Sequence, residues 1–406
     1  MIIRKSLVGA SASGILLMMG VATPTLANSL TPALDRDAHA PVMAAVGDIS
    51  CQPGAPEEGE KQKDVCDKSG AGYTTRWQAQ TATAAQIEAM QPNVVAILGD
   101  EQYEVGRYED FMASFNHTYG AFKWLQRPAP GNHEFYSEHG ESGVHGYGYF
   151  AYYNGYHVDP DTGDAVTAPI SAGDGGEPVV QPVPLQDGQA GHMGDNGNGW
   201  YSYNVGGWHV ISLNAECAVQ PGGCDPSGAW LAAETKWLKE DLAHNHQQCT
   251  MAYWHQPTFS SGDSAVSGTK FTSPEGTAAD TWWQILYDAG ADVVLNGHDH
   301  LYARYAPMDP EGNADLRRGI REFIVGTGGE SLDQPVDNAN SDNIQAATGD
   351  YYGVMKLTLA HGRYKWDYES AMKSPDAAAS VPATYSDTGS AICHGPARGW
   401  FAQASR

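Results

Sequence analysis

Positive charge is scarce in this chain. It carries 23 Lys and Arg against 48 Asp and Glu, a formal net charge of −25. Such a surface repels nucleic acid and anionic bilayers, so a nucleic-acid polymer is a poor partner. A phosphate-bearing ligand would need a strong local positive charge, which bound metal could supply. No Cys-x-x-Cys pair occurs, which argues against a zinc ribbon or a thioredoxin-like dithiol. No His-Glu-x-x-His occurs, which disfavours a zinc peptidase of that type. Beyond the N-terminal residues no stretch is apolar enough to span a bilayer, so no stable membrane insertion is expected.

What is present begins with "MIIRK", the apolar "SLVGASASGILLMMGVA" and "TLA", with small residues at Thr25 and Ala27. That is the layout of a secretory signal peptide over residues 1–27. Its removal takes Arg4 and Lys5 away and leaves about −27, that is −25 less two positive charges. Residues 28–406 are then expected as a single domain, secreted, periplasmic or extracellular. The six cysteines fit an oxidising compartment and structural disulfides. Six cysteines allow fifteen pairings. Loop length suggests Cys51 with Cys66 and Cys217 with Cys224, leaving Cys249 for Cys393.

Four apolar runs of strand length are each bounded by turn residues: "PVMAAV", "NVVAIL", "TMAYW" and "ADVVL". Helices are expected at "TTRWQAQTATAAQIEAMQ" and "TAADTWWQILYDAG", which precede two of them. A third is expected at "AWLAAETKWLKEDLAHN", with Trp230, Trp237, Leu238 and Leu242 on one face. "WYSYNVGGWHVISLN" alternates as strands do, and "VMKLTLAHGRYKWDYES" reads as a hairpin turning at His361-Gly362. Helix-then-strand repetition implies an α/β architecture, in which ligands gather beyond the carboxyl ends of the strands.

Residues 138–198 shift to Gly, Tyr, Asp and Pro and read as a surface insertion. Within them "DPDTGD" lacks the third ligand position and closing Glu of a calcium loop. Residues 370–406 read as a polar extension that Cys393 can tie down. His209 reads as a core residue, and His244 and His246 as exposed groups at a helix end. His139, His145, His157 and His192 fall in the insertion.

The strand ends carry the chemistry. In order they present Asp48, Asp100 with Tyr103, Asn132-His133 in "PGNHE", His255 in "YWHQP", and His298 and His300 in "GHDH". Oxygen and nitrogen donors without thiolates suit Zn, Fe and Mn. Seven donors are too many for one ion with an open position and right for two ions sharing a carboxylate. Two metals about 3.5–4 Å apart recur in phosphoryl transfer.

The blocks "GD", "GDEQY", "GNHE", "WH" and "GHDH", in this order, resemble the calcineurin-like metallophosphoesterases. Tyr103 in "GDEQY" makes the chain similar to their purple acid phosphatase branch. The similarity extends over about Val42 to Gly329. It implies a four-layer αββα sandwich, with two mixed β-sheets flanked by helices. It also implies a small phosphoester substrate and two metal ions. Asp48, Tyr103 and His300 would hold Fe(III), and Asn132, His255 and His298 a divalent ion, Zn, Mn or Fe. Asp100 would bridge them, and His133 would protonate the leaving group after in-line attack by a metal-generated hydroxide. The alternative for His133 is a loop histidine bonded to Glu134. Extended backbone would aim His298 and His300 the same way and Asp299 elsewhere. Two carboxylates and a tyrosinate against five metal charges leave +2, attractive to a phosphate dianion.

Two departures qualify the resemblance. Ser50 stands where many relatives carry a histidine after the first aspartate, and "HQPTFSSGDSAVSG" lacks the extra histidines of plant-type enzymes. A phosphodiesterase or nucleotidase would use the same donors. A non-catalytic metal-binding surface protein would be expected to lack some of them, and none is missing.

Overall fold

The expected apolar runs become strands because they are buried on both faces, which selects continuous rather than alternating apolar sequence. The structure is a computed structural model that describes residues 39–54, 65–68, 72–136, 146–154, 157–158, 165–166, 198–260, 262, 274–335 and 341–395. The expected leader, the calcium-like "DPDTGD", most of the 138–198 segment and the chain end after Gly395 lie outside the described residues.

Strands β1 (Val42–Val46), β2 (Val94–Leu98) and β3 (Gln126–Ala129) are parallel neighbours. Strands β4 (Tyr201–Val205) and β5 (Trp208–Ser212) form in the stretch expected to alternate as strands, and they pair as a hairpin. Strands β6 (Cys249–Tyr253) and β7 (Val293–Asn296) follow, then β8 (Tyr302–Tyr305), β9 (Arg321–Val325) and β10 (Ile344–Thr348). The chain closes with β11 (Tyr351–Ala360), β12 (Arg363–Lys373) and β13 (Ser386–Ile392). Among the described residues these make two mixed sheets. One has the order β13-β12-β11-β1-β2-β3, the other β10-β8-β9-β7-β6-β5-β4.

The period of two along the second sheet separates two cores. Val210, Met251, Val293, Leu295 and Phe323 share a buried cluster with Met43, Val46 and Ile97 of the first sheet. Their neighbours Ile211, Ala252, Val294 and Ile324 face away, towards Leu231, Leu238, Trp282, Trp283 and Leu286. Those residues belong to helices on the outer side. Helix α1 (Thr75–Met90) covers β11 and β12 of the first sheet, while α3 (Ala229–His244) and α4 (Pro274–Ala289) cover the second; α2 (Tyr147–Asn154) lies between α1 and α3 in sequence. Thr74 caps α1 with its side chain, and Gln91 ends it in a left-handed conformation. The result is an α/β sandwich with helices outside two face-to-face sheets.

Three expectations change. The buried stripe of α3 is Leu231, Glu234, Leu238 and Leu242, with Trp230 and Trp237 half-buried beside it. Glu234 is admitted because it accepts the Asn214 amide at 2.8 Å. In the segment read as a surface insertion, α2 buries Tyr149, Phe150, Tyr152 and Tyr153 in the inter-sheet cluster. Aromatic rings there do the work that aliphatic side chains do elsewhere. The polar extension supplies the edge strand β13, whose Asp387 accepts from Tyr302 Oη and Arg304 Nε, each at 2.7 Å.

Disulfides join Cys51–Cys66, Cys217–Cys224 and Cys249–Cys393. The last spans 144 residues and pins β13 to β6 at the sheet end. Removing it with Cys393→Ser is expected to cost about 2–5 kcal/mol, read as a lower urea midpoint. An unchanged midpoint would contradict that anchoring role.

Candidate metal centre

Strands β1, β2 and β7 each stop at a glycine, and the residue after that glycine is strained. Asp48, Asp100 and His298 have φ of 58°, 49° and 68°, in the left-handed region. That conformation costs a residue with a Cβ roughly 1–2 kcal/mol. It turns each chain abruptly at the sheet edge and throws the side chain across the strand ends. Gly99 precedes one such turn because a Cβ there would overlap the His255 ring. Gly131 is required for the same reason, since its Cβ would overlap the Asp100 carboxylate.

The side chains meet in two groups. Tyr103 Oη lies 3.1 Å from Asp48 Oδ1, 3.1 Å from Asp100 Oδ2 and 3.1 Å from His300 Nε2. In the second group His255 Nε2 lies 3.0 Å from Asp100 Oδ2 and 3.1 Å from Asn132 Oδ1. His298 Nδ1 completes it, 3.1 Å from Asn132 Oδ1 and 3.2 Å from His255 Nε2. Asp100 Oδ2 therefore belongs to both groups. Asp48, Asp100, Tyr103 and His255 are buried, while Asn132, His133, His298 and His300 are half-buried and form the mouth.

Backbone carbonyls fix which ring nitrogens face inward. His255 Nδ1 sits 2.8 Å from Leu98 O and His300 Nδ1 sits 2.8 Å from Ser331 O. A carbonyl only accepts, so each Nδ1 carries a hydrogen, and in the neutral ring each Nε2 turns a lone pair inward. Asn132 Nδ2 donates to Tyr136 Oη at 2.7 Å, which leaves its amide oxygen inward. Asn132 Oδ1, His255 Nε2 and His298 Nδ1 are thus three acceptors within touching distance. Mutual separations near 3 Å suit donors about 2.0–2.2 Å from a shared cation. The donor set fits metal.

The electrostatics point the same way. Burial pushes His255 down, but Asp100, Asp48 and Glu216 outweigh it and raise the imidazolium to about 10. His300 is likewise lowered by burial and raised by Asp48, Glu330 and Asp333, ending at about 10. Burial and the neighbouring His255 hold His298 well below the ordinary imidazole range. Burial, then Asp100 and Asp48, push the Tyr103 phenol well above its usual value.

One local expectation fails. His298 to His300 is not extended, because β7 ends at Asn296 and His298 is left-handed. The two histidines reach the two groups through different ring nitrogens, Nδ1 of His298 and Nε2 of His300. Asp299 is buried, packed against Gly262.

His133 is not tied to Glu134. Its Nδ1 lies 2.6 Å from Glu104 O, its ring stacks 4.1 Å from Tyr103, and its Nε2 comes to 3.8 Å from Asp100 Oδ2. Glu134 instead accepts the backbone amides of Asp100 (3.0 Å), Gln102 (3.2 Å) and Gly131 (2.8 Å). It locks the two loops that carry Asp100 and Asn132 together. Burial and Asp100 raise it to about 7. Sequence reasoning missed this brace, although Glu134 stands in the "GNHE" block. It also missed Arg76, which pairs with Glu104 at 3.1 Å and with Glu330 behind Tyr103. No motif marks it. His209 is the core residue expected, with Nε2 2.6 Å from Asp241 Oδ2.

Residues 44–302 match the family model described as calcineurin-like phosphoesterase. The chain belongs to this family of metal-dependent phosphoester hydrolases. Its relatives lie on the purple acid phosphatase side. Purple acid phosphatase 15 of Arabidopsis thaliana is 28% identical over 149 residues, 35% of this chain and 24% of that one. Purple acid phosphatase 23 of the same plant is 26% identical over 180 residues, 42% of this chain and 34% of that one. The matched stretches therefore span about a quarter to a third of the length of these relatives. A purple acid phosphatase from yellow lupin seeds shares the fold, with a TM-score of 0.51 and 17% identity over 86% of this chain and 53% of that one.

Metal binding should release protons. His255 and His300, raised to about 10, are protonated below that value in the metal-free chain and must be neutral to bind. Affinity therefore rises with pH and is weakest in acid. Zn(II) added to metal-free protein near pH 7 in weak buffer should release about two protons from this pair, read with an indicator dye. Binding without acidification would contradict the protonation assigned to the pair.

Proposed function

We propose that the chain is an exported phosphatase that hydrolyses phosphomonoesters of small alcohols at a pair of metal ions. The convergence of two donor groups on Asp100 carries this reading. Asp48, Tyr103 and His300 would hold Fe(III). Asn132, His255 and His298 would hold a divalent ion, Zn, Mn or Fe, and Asp100 would bridge. When bound, the ions supply positive charge for the phosphate oxygens and acidify water enough to attack phosphorus near neutral pH.

The protein's own groups set the rest. Asn132 binds without adding negative charge, so the centre stays attractive to a phosphate dianion. Buried next to two aspartates, Tyr103 loses its proton only beside a strong cation, which favours the trivalent ion in its group. His133 donates Nδ1–H to the Glu104 carbonyl, which aims Nε2 at the mouth. From there a protonated ring can give its Nε2 proton to a departing alkoxide. Three disulfides and the N-terminal sequence support export through an oxidising compartment.

The reading is tested with metal-loaded protein on p-nitrophenyl phosphate and its bis ester. The monoester should be the better substrate, and a preference for the bis ester would favour a diesterase. His133→Ala should lower kcat on alkyl phosphates by about 10²–10⁴-fold. It should do less on p-nitrophenyl phosphate, whose leaving group needs no proton. Equal losses on both esters would remove His133 as the acid. The iron-loaded protein should absorb in the visible through a phenolate-to-Fe(III) band, and Tyr103→Phe should abolish it. A band that survives the substitution would contradict the Tyr103 assignment.

A further inference from the structure

Beside the candidate centre lies a cavity of about 250 Å³ whose floor includes Asn132 and His298. Its walls are unusual for a phosphate enzyme. They present two carboxyl groups, Glu216 and Glu275, two aromatic rings, Phe135 and Tyr136, and the amide of Gln256. Gln256 is buried, and its Nε2 donates to Glu216 Oε1 at 2.6 Å. That bond fixes the amide, and Gln256 Oε1 has no hydrogen-bond partner among the described residues. Glu216 has no Lys or Arg among its described partners, and burial is the chief cause that raises its carboxyl to about 8. Tyr136 is half-exposed; its hydroxyl accepts from Asn132, and its ring lies 4.7 Å from that of His133. It thus joins the candidate acid to the cavity.

We infer that this cavity receives the leaving group and selects an amino alcohol, so that preferred substrates carry an ammonium group near the phosphoester oxygen. This rests on the phosphatase reading above. An ammonium supplies donors to the carboxyl groups, and its charge suits the aromatic wall of Phe135 and Tyr136. A leaving group bearing a carboxylate or a further phosphate meets like charge at Glu275 on the same wall. The metal ions attract the phosphate and the acidic cavity attracts the opposite end of a zwitterion. Hydrolysis breaks the P–O bond to the alcohol; water supplies the new hydroxyl on phosphorus and, through the acid, the proton on the released alcohol.

O-phosphoethanolamine and 2-phosphoglycolate have similar size and opposite leaving-group charge. With metal-loaded protein, kcat/KM should favour the ammonium ester at least about tenfold. Glu275→Gln should lower that ratio, and Glu216→Gln with Glu275→Gln should bring it near one. The ratio is read within each variant, so lost metal or altered turnover does not imitate the effect. Ethanolamine alone should bind the same protein by calorimetry, at least about tenfold more weakly to the double variant. Phosphoglycolate or glycerol 2-phosphate cleaved as well as phosphoethanolamine would overturn the inference. So would absent ethanolamine binding, or binding that ignores both substitutions. Protein that cleaves no ester, p-nitrophenyl phosphate included, contradicts the phosphatase reading; ethanolamine binding needs no turnover and then decides the cavity's chemistry separately.

Discussion

The fold is organised around one buried carboxylate. Asp100 stands in a left-handed conformation at the end of a central strand, and its Oδ2 contacts donors on both sides. Its Oδ1 accepts the His133 amide at 2.9 Å, and its own amide is held by Glu134. Backbone strain and desolvation act against this arrangement, while the neighbouring His255 favours the ionised carboxylate. A positive ion on each side would offset both costs. The strained turns at Asp48 and His298 serve the same end, because a relaxed strand would carry those side chains past the centre.

The two sheets explain how distant segments reach it. Parallel strands in the middle of each sheet point their carboxyl ends the same way, so loops from both sheets open over a single edge. Burial on both faces makes those strands stiff. Short glycine turns then set donor positions within narrow limits. Around them, carbonyl oxygens of Leu98, Ser331 and Glu104 select the tautomers of His255, His300 and His133. These are main-chain groups, so ring orientation is built into the fold rather than into further side chains.

That division also explains what could be read from sequence. The four apolar strands, the alternating pair β4 and β5, α1, α4 and the hairpin at His361-Gly362 were legible because apolar runs and turn residues are local signals. So were the polar residues that meet at the strand ends, since each stands in a short block after a strand. The carbonyl partners were not legible, because any residue supplies a carbonyl. The bracing role of Glu134 was not legible, because its three amide partners are brought together only by folding. The aromatic face of α2 was read as surface because tyrosine serves both surface and core, and only packing distinguishes them. The acidic cavity was invisible: Glu216, Gln256 and Glu275 lie on separate segments with no shared pattern.

The central claim is that two cations sit on either side of Asp100. Anomalous diffraction from crystals grown with iron and zinc, recorded across both absorption edges, tests it most directly. The account predicts two peaks about 3.5–4 Å apart, each within bonding distance of Asp100. One peak belongs with Asp48, Tyr103 and His300, the other with Asn132, His255 and His298. A single peak, or two that do not share Asp100, would contradict it.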